Sequence, residues 1–229
     1  MKLPLRRAAR STAGERPGDR DRQVGWQVAS LLLDYPGQQT IDRLPLLRDA
    51  ATTLPAVMGE PLRAFLAHVE ATPLPQLAAD YVETFDLRRR CCLYLTYYAY
   101  GDTRKRGLAI LRIKHAYTAA GFSLTDAELP DHLAVVLEFA ATADLAAGMR
   151  LLHERRAGIE LLRLSLHDAG SPYGLVLDSV CGALPPLATR DRAEVERLAR
   201  EGPPEEEVGL EPFALDPSLI PAGPRGGHR

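Results

Sequence analysis

A chain of 229 residues with 46% hydrophobic content is long enough to bury a sizeable core, in one domain or one and a half. A formal net charge of -2 and a pI near 6.3 supply no global basic field for nucleic acid or an anionic membrane. The cysteines Cys91, Cys92 and Cys181 form no regular disulfide framework and fit a reducing compartment, so a cytoplasmic location is expected.

The N-terminal "LRRAAR" carries an arginine pair of the kind seen in export signals, but no apolar segment follows it and no stretch approaches the roughly 20 apolar residues of a membrane span. Residues 1–22 are expected to be a disordered basic arm. From Val24 onward apolar residues recur at helical rather than alternating spacing, which predicts an all-α domain over residues 23–187. A first helix, about Gly25 to Leu33, stops at "DYPG"; a second runs from about Ile41 to Thr53 with Pro45 in its first turn or at a kink. A third covers Pro61 to Ala71, with Pro61 at the N-terminal position that proline tolerates. "TPLPQ" opens a fourth that passes Leu77 and Tyr81 towards Phe85.

Cys91 to Tyr100 reads as a buried helix, apolar nearly all round. The next, about Arg104 to Ala120, aligns Ile110, Ile113, Tyr117 and Ala120, and Gly121 stands where a left-handed cap belongs. A long helix is expected from Asp131 to His153, then one from Arg156 to Asp168, and another restarting at "SPYG". Residues 188–229 are expected to hold an exposed amphipathic helix, "TRDRAEVERLAREG", and a flexible tail rich in Pro, Gly and Glu. The tail's Phe213, Leu215, Leu219 and Ile220 form a short apolar element that could dock on the core or on a partner.

Adjacent cysteines on a helix diverge by about 100°, so Cys91 and Cys92 cannot both ligate one tetrahedral ion, and the histidines are scattered. No metal site and no catalytic residue is expected. The phosphate-binding signatures GxxxxGK[ST] and GxGxxG are both absent. Two functions other than peptide binding stay open on the residues: a helical RNA-binding protein using the arginine clusters and tyrosines of Arg88 to Arg106, or a thiol-based redox protein using Cys91 and Cys92. Against these stands a different constellation. "YVETFD", Tyr81 to Asp86, and "ELPDH", Glu128 to His132, bring aromatics and acids to the edges of a helical bundle, which suits a groove for an amphipathic segment carrying positive charge.

At these residues, "YVETFDLRRRCCLYLTYYAYGDTRKRG" followed by "LPDHLAVVLEFAA", the sequence resembles the NarJ-type nitrate reductase molybdenum cofactor assembly chaperones, the nitrate reductase delta subunit family. Tyr81 and Phe85 resemble the YxxxF mark of the wider TorD/DmsD superfamily, and "ELPDH" its E-P-x-D-H mark, with Leu129 in place of the first proline. The resemblance implies an all-helical chaperone without turnover of its own. It would bind the apo catalytic subunit of respiratory nitrate reductase at its N-terminal peptide, a remnant of twin-arginine type. It would hold no cofactor stably, promote insertion of the molybdenum cofactor into the client, and meet the membrane only through that client. Molybdenum cofactor biosynthesis proteins would be further partners, and nucleic acid none. Client-peptide binding is expected from Tyr81, Phe85 and Asp86 with Glu128, Asp131 and His132, and protonation of His132 is expected to weaken binding of a cationic peptide.

Overall fold

The computed structural model describes residues 16–124 and 128–204. Helix α1 (Asp19–Leu32) begins before its apolar stripe does, because Gly18 N–H donates to the Asp21 carboxylate and Arg22 donates to the carbonyl of Ala183. Residues 19–22, expected in the arm, are therefore helical. Helices α2 (Gln38–Thr52) and α3 (Ala56–Ala71) follow, each running through a proline. Pro61 lies in the second turn of α3 rather than at its start. Helix α4 (Leu74–Tyr81) continues into a π-helical turn, Val82–Asp86, closed by Leu87 N–H on the carbonyl of Val82 at 3.2 Å.

The segment expected as one helix from Cys91 to Tyr100 is broken in two. A short 3-10 turn, Arg89–Cys91, gives way to extended backbone, and only Leu95–Tyr100 (α5) is helical. The extended stretch pairs with residues 131–133, at the entrance to a later helix. Leu95 N–H donates to the Asp131 carbonyl and Leu133 N–H to the Leu93 carbonyl, both at 2.9 Å, giving an isolated antiparallel bridge between Tyr94 and His132. Backbone pairing across the chain thus overrides local helical preference.

Helix α6 (Arg104–Ala119) ends at Gly121, whose φ of 73° matches the expected left-handed cap. The expected long helix Asp131 to His153 is instead α7 (Leu133–Thr142) and α8 (Leu145–Glu154), because Asp144 caps the second one, accepting from Ala147 N–H at 2.8 Å. The break lets α8 fold back so closely that any side chain at Gly148 would collide with Ala140. Helices α9 (Arg156–Asp168), α10 (Tyr173–Ala183) and α11 (Thr189–Glu201) complete the chain.

The bundle is organised around α1, α3, α7 and α10. Helix α3 packs along α10 and α1 along α7, while α9 lies against α10 and α11. Trp26, Leu33, Met58, Leu62, Phe65, Leu133, Leu137, Leu162, Val176 and Val180 are buried in one core. A satellite cluster of Ile113, Tyr117 and Phe139 holds α6 against α7. Helix α11, expected to be exposed, is seated by Val195 and Leu198. The sequence-predicted tail from residue 205 lies outside the described residues, and among those described only helices and turns carry the fold, with no named strand.

Candidate functional site

Tyr81 and Phe85 are one helical turn apart, and their rings meet at 4.8 Å. Both pack on Tyr173, at 5.8 and 4.8 Å, and Tyr173 rests on Phe65 at 4.9 Å. The Tyr81 hydroxyl donates to the carbonyl of Leu33 at 3.1 Å, fastening the end of α4 to the end of α1. There Tyr35, 55% exposed, meets the Tyr81 ring edge-on at 5.4 Å. The result is an aromatic wall whose inner members are core and whose outer members, Tyr35 and the half-buried Phe85, reach the surface.

Acids surround that wall. Burial raises the Tyr81 phenol far above its ordinary pKa, and the charges of Asp34, Asp86 and Glu128 push it the same way. Asp34 and Glu128 act on His132 as well, favouring its cation, although burial outweighs them and lowers its pKa. The Ser30 hydroxyl donates to the Ala134 carbonyl at 2.8 Å, so the end of α1, to which Tyr81 is fastened and after which Asp34 follows, lies beside the start of α7 and His132, and the two sequence motifs meet at one acidic patch. Glu128 is exposed and accepts from the Tyr94 hydroxyl at 3.4 Å, and the Tyr94 ring lies edge-on to His132 at 5.3 Å.

Asp131 sits differently. Its side chain is fully buried, with Oδ2 accepting from Thr96 N–H at 3.2 Å and Thr96 Oγ1 at 2.5 Å, and with Arg106 at 3.8 Å. Together with the Asp131 carbonyl, which accepts from Leu95 N–H, this carboxylate satisfies the first donors of α5, where Tyr94 supplies no side-chain cap. Asp131, expected among the client-peptide contacts, is thus a cap delivered from a distant part of the chain, and it presents no oxygen to a surface ligand. Of the six sequence-predicted residues, Tyr81, Phe85, Asp86, Glu128 and His132 gather at the patch and Asp131 stands beneath it. Asp34, Tyr35, Tyr94 and Tyr173 belong with them and were not anticipated. "DYPG" reads as a helix stop and Tyr173 as the first turn of a helix, so neither carries a binding signal in one dimension.

His132 is buried, and its Nδ1 has no hydrogen-bond partner among the described residues. Because its folded pKa lies below the unfolded value near 6.5, the unfolded chain takes up the proton first as pH falls. Its contribution to stability is complete above about pH 6.5 and is lost below it. Urea unfolding between pH 7.5 and 5 should show wild-type stability falling on the acid side, with a shallower fall in His132→Gln. Parallel profiles would remove His132 as the source. The same burial moves any proton-controlled effect of His132 on ligand binding below the neutral range.

The remaining chemistry-bearing residues are quiet. Burial raises the pKa of both Cys91 and Cys92, only partly opposed at Cys91 by Arg88, and pushes Cys181 up to about 12, opposite to an activated thiolate. Tyr98 is buried, its hydroxyl donating to the carbonyls of Arg90 and Cys92, and Arg106 lies over the Tyr94 ring, so this tyrosine run is packed rather than offered to bases. No cluster of metal-ligating side chains occurs among the described residues, and none of their helices is long and apolar enough to cross a membrane.

The fold and patch define an all-helical bundle with an acid-rimmed aromatic surface. A solved structure from Archaeoglobus fulgidus, titled "Crystal Structure Of A Putative Redox Enzyme Maturation Protein", shares this fold, with a TM-score of 0.51 and 20% identity over 77% of this chain and 93% of that one. The chain belongs to the nitrate reductase delta subunit family, the NarJ type, whose model matches residues 51–176. The Bacillus subtilis (strain 168) protein named "Probable nitrate reductase molybdenum cofactor assembly chaperone NarJ" is 32% identical over 178 residues, covering 76% of this chain and 95% of that protein. "Nitrate reductase-like protein NarX" of Mycobacterium tuberculosis (strain H37Rv) is 40% identical over 163 residues, 69% of this chain, and the match spans only 24% of that longer protein.

Proposed function

We propose that this chain is an assembly chaperone that binds the apo catalytic subunit of respiratory nitrate reductase through its N-terminal peptide, keeps it open for molybdenum cofactor insertion, and leaves before the enzyme is mature. The observation that carries this reading is the shared acidic patch. The end of α1, which leads into Asp34 and Tyr35, is tied both to Tyr81 and to the start of α7 beside His132, which supports an aromatic wall and an anionic rim serving one ligand. An amphipathic peptide would lay its apolar side on Tyr35 and Phe85 and set its basic residues against Asp34, Asp86 and Glu128. Tyr81 supports the wall, His132 closes its far side, and Asp131 positions the backbone beneath both. The cofactor is cargo for the client, supplied by molybdenum cofactor biosynthesis proteins, and the exchange takes place in the cytoplasm, where free Cys91, Cys92 and Cys181 remain reduced.

The test is a calorimetric titration of the chain with a synthetic peptide from the N-terminus of its nitrate reductase catalytic subunit, with a scrambled peptide as control. Saturable binding to the first alone is expected, weakened about tenfold or more by Tyr35→Ala, which removes a half-exposed ring and spares the core. Equal heats for both peptides would reject the patch as a specific peptide site.

A further inference from the structure

On another side of the bundle, a cleft of ≈ 460 Å³ opens between α9, the Arg89–Asp102 segment and the end of α11. Its floor is apolar, with Leu161, Leu198 and Leu164, the last 38% exposed. Its rim carries Arg89 and Arg90, and these two differ from the other basic residues nearby. Arg88 pairs with Glu83 at 2.7 Å and Arg106 with Asp102 at 3.1 Å, whereas Arg89 and Arg90 make no ion pair among the described residues. The acids at the same cleft are largely engaged: Asp102 holds Arg106 and Glu201 holds Arg197, leaving Asp168 at the end of α9.

The chain itself is led to the mouth of this cleft. After α11, Gly202 turns with φ 78° and Pro203 and Pro204 line the opening. Pro204 rests so closely on Gly101 that a Cβ there would collide with its carbonyl oxygen, and Gly101 holds φ 54°, a conformation that also favours glycine. The residues that come next are Glu205, Glu206 and Glu207, followed by Val208, Leu210, Glu211, Phe213, Leu215 and Asp216, without a basic residue among them.

From these we infer that the cleft is the docking site of the chain's own residues 205–215. The glutamates meet Arg89 and Arg90 at the rim, and Phe213 or Leu215 enters the space over Leu161, Leu164 and Leu198. Reach is no obstacle: nine residues from Pro204 to Phe213 extend about 30 Å, and Pro204 is already at the opening. A cleft of this volume takes a few side chains, which is what the apolar part of the segment supplies. The arrangement is separate from the aromatic patch and holds whether or not that patch binds a client.

Hydrogen exchange on the full-length chain tests the inference. Amides of residues 206–215 are expected to exchange about tenfold or more slower than an unstructured chain of the same sequence. Protection should fall in Arg89→Glu/Arg90→Glu and in Glu205→Lys/Glu206→Lys/Glu207→Lys, and return when the two sets are combined with Phe213 intact. Arg89 and Arg90 are exposed, and thermal unfolding of each variant serves as the check that the bundle survives. Exchange at the unstructured rate in the wild type would overturn the proposal. So would protection that rises with protein concentration, since the cleft would then hold a second copy's segment, and so would failure of the combined variant to recover.

Discussion

Asp131→Ala is expected to lower stability by about 3 kcal/mol, a fall of roughly 6–12 °C in Tm for a chain of this size. The magnitude follows from what the carboxylate holds. Oδ2 is the acceptor for both the amide and the hydroxyl of Thr96, in a place with no access to water, and its removal leaves a buried donor of α5 unpaired. Arg106 loses a neighbour but keeps Asp102, so the loss concentrates on Thr96. Thr96→Val removes the hydroxyl while keeping the amide bond, and should cost less. A double-mutant cycle between the two should show coupling of about 1 kcal/mol or more. A Tm within 2 °C of wild type, roughly 1 kcal/mol or less, would mean the cap is not needed. The consequence for function is direct. Loss of peptide binding in Asp131→Ala would report a damaged support beneath Tyr94 and His132, so contacts must be assigned from variants at the patch surface.

The helical class was legible because period 3.6 persists from α1 to α11, and Gly121 announced its cap because only a residue tolerant of positive φ fits there. Two features could not be read locally. Cys92 to Tyr94 are extended because Asp131 and Leu133 supply backbone partners from about forty residues away, which propensity cannot see. The break between α7 and α8 did have a local signal, Asp144 three residues before Ala147, but an apolar pattern continuous on both sides concealed it. The site divides in the same way. Tyr81 and Phe85 share a helical face and could be paired from spacing alone, whereas Asp34, Tyr35 and Tyr173 join them only because α1, α4 and α10 converge. Asp131 shows the converse: a residue of the motif that one dimension assigns to binding is, in three, the acceptor that holds the backbone at the start of α5 in place.

On the peptide-binding reading proposed above, the shares of charge and apolar contact at the patch can be separated by salt. Neutralising the rim with Asp34→Asn, Asp86→Asn and Glu128→Gln is expected to weaken binding of the basic client peptide about tenfold or more at low ionic strength, chiefly through slower association. Near 1 M salt the screening length contracts to about 3 Å, so exposed charges no longer attract over the width of the patch and the variant should approach wild-type affinity there. Phe85→Ala should behave oppositely, weakening binding by a similar factor at both salt concentrations, because apolar burial is not screened. Phe85 touches Tyr81 and Tyr173 from a half-buried position, so a thermal-unfolding check keeps its contribution to folding apart from its contribution to binding. A rim variant indistinguishable from wild type at low salt would take the acids out of recognition and leave an aromatic surface that selects by shape. Equal losses at low and high salt would point instead to short-range hydrogen bonds from the same carboxylates, placing the peptide's basic residues in direct contact with Asp34, Asp86 or Glu128 rather than in their field.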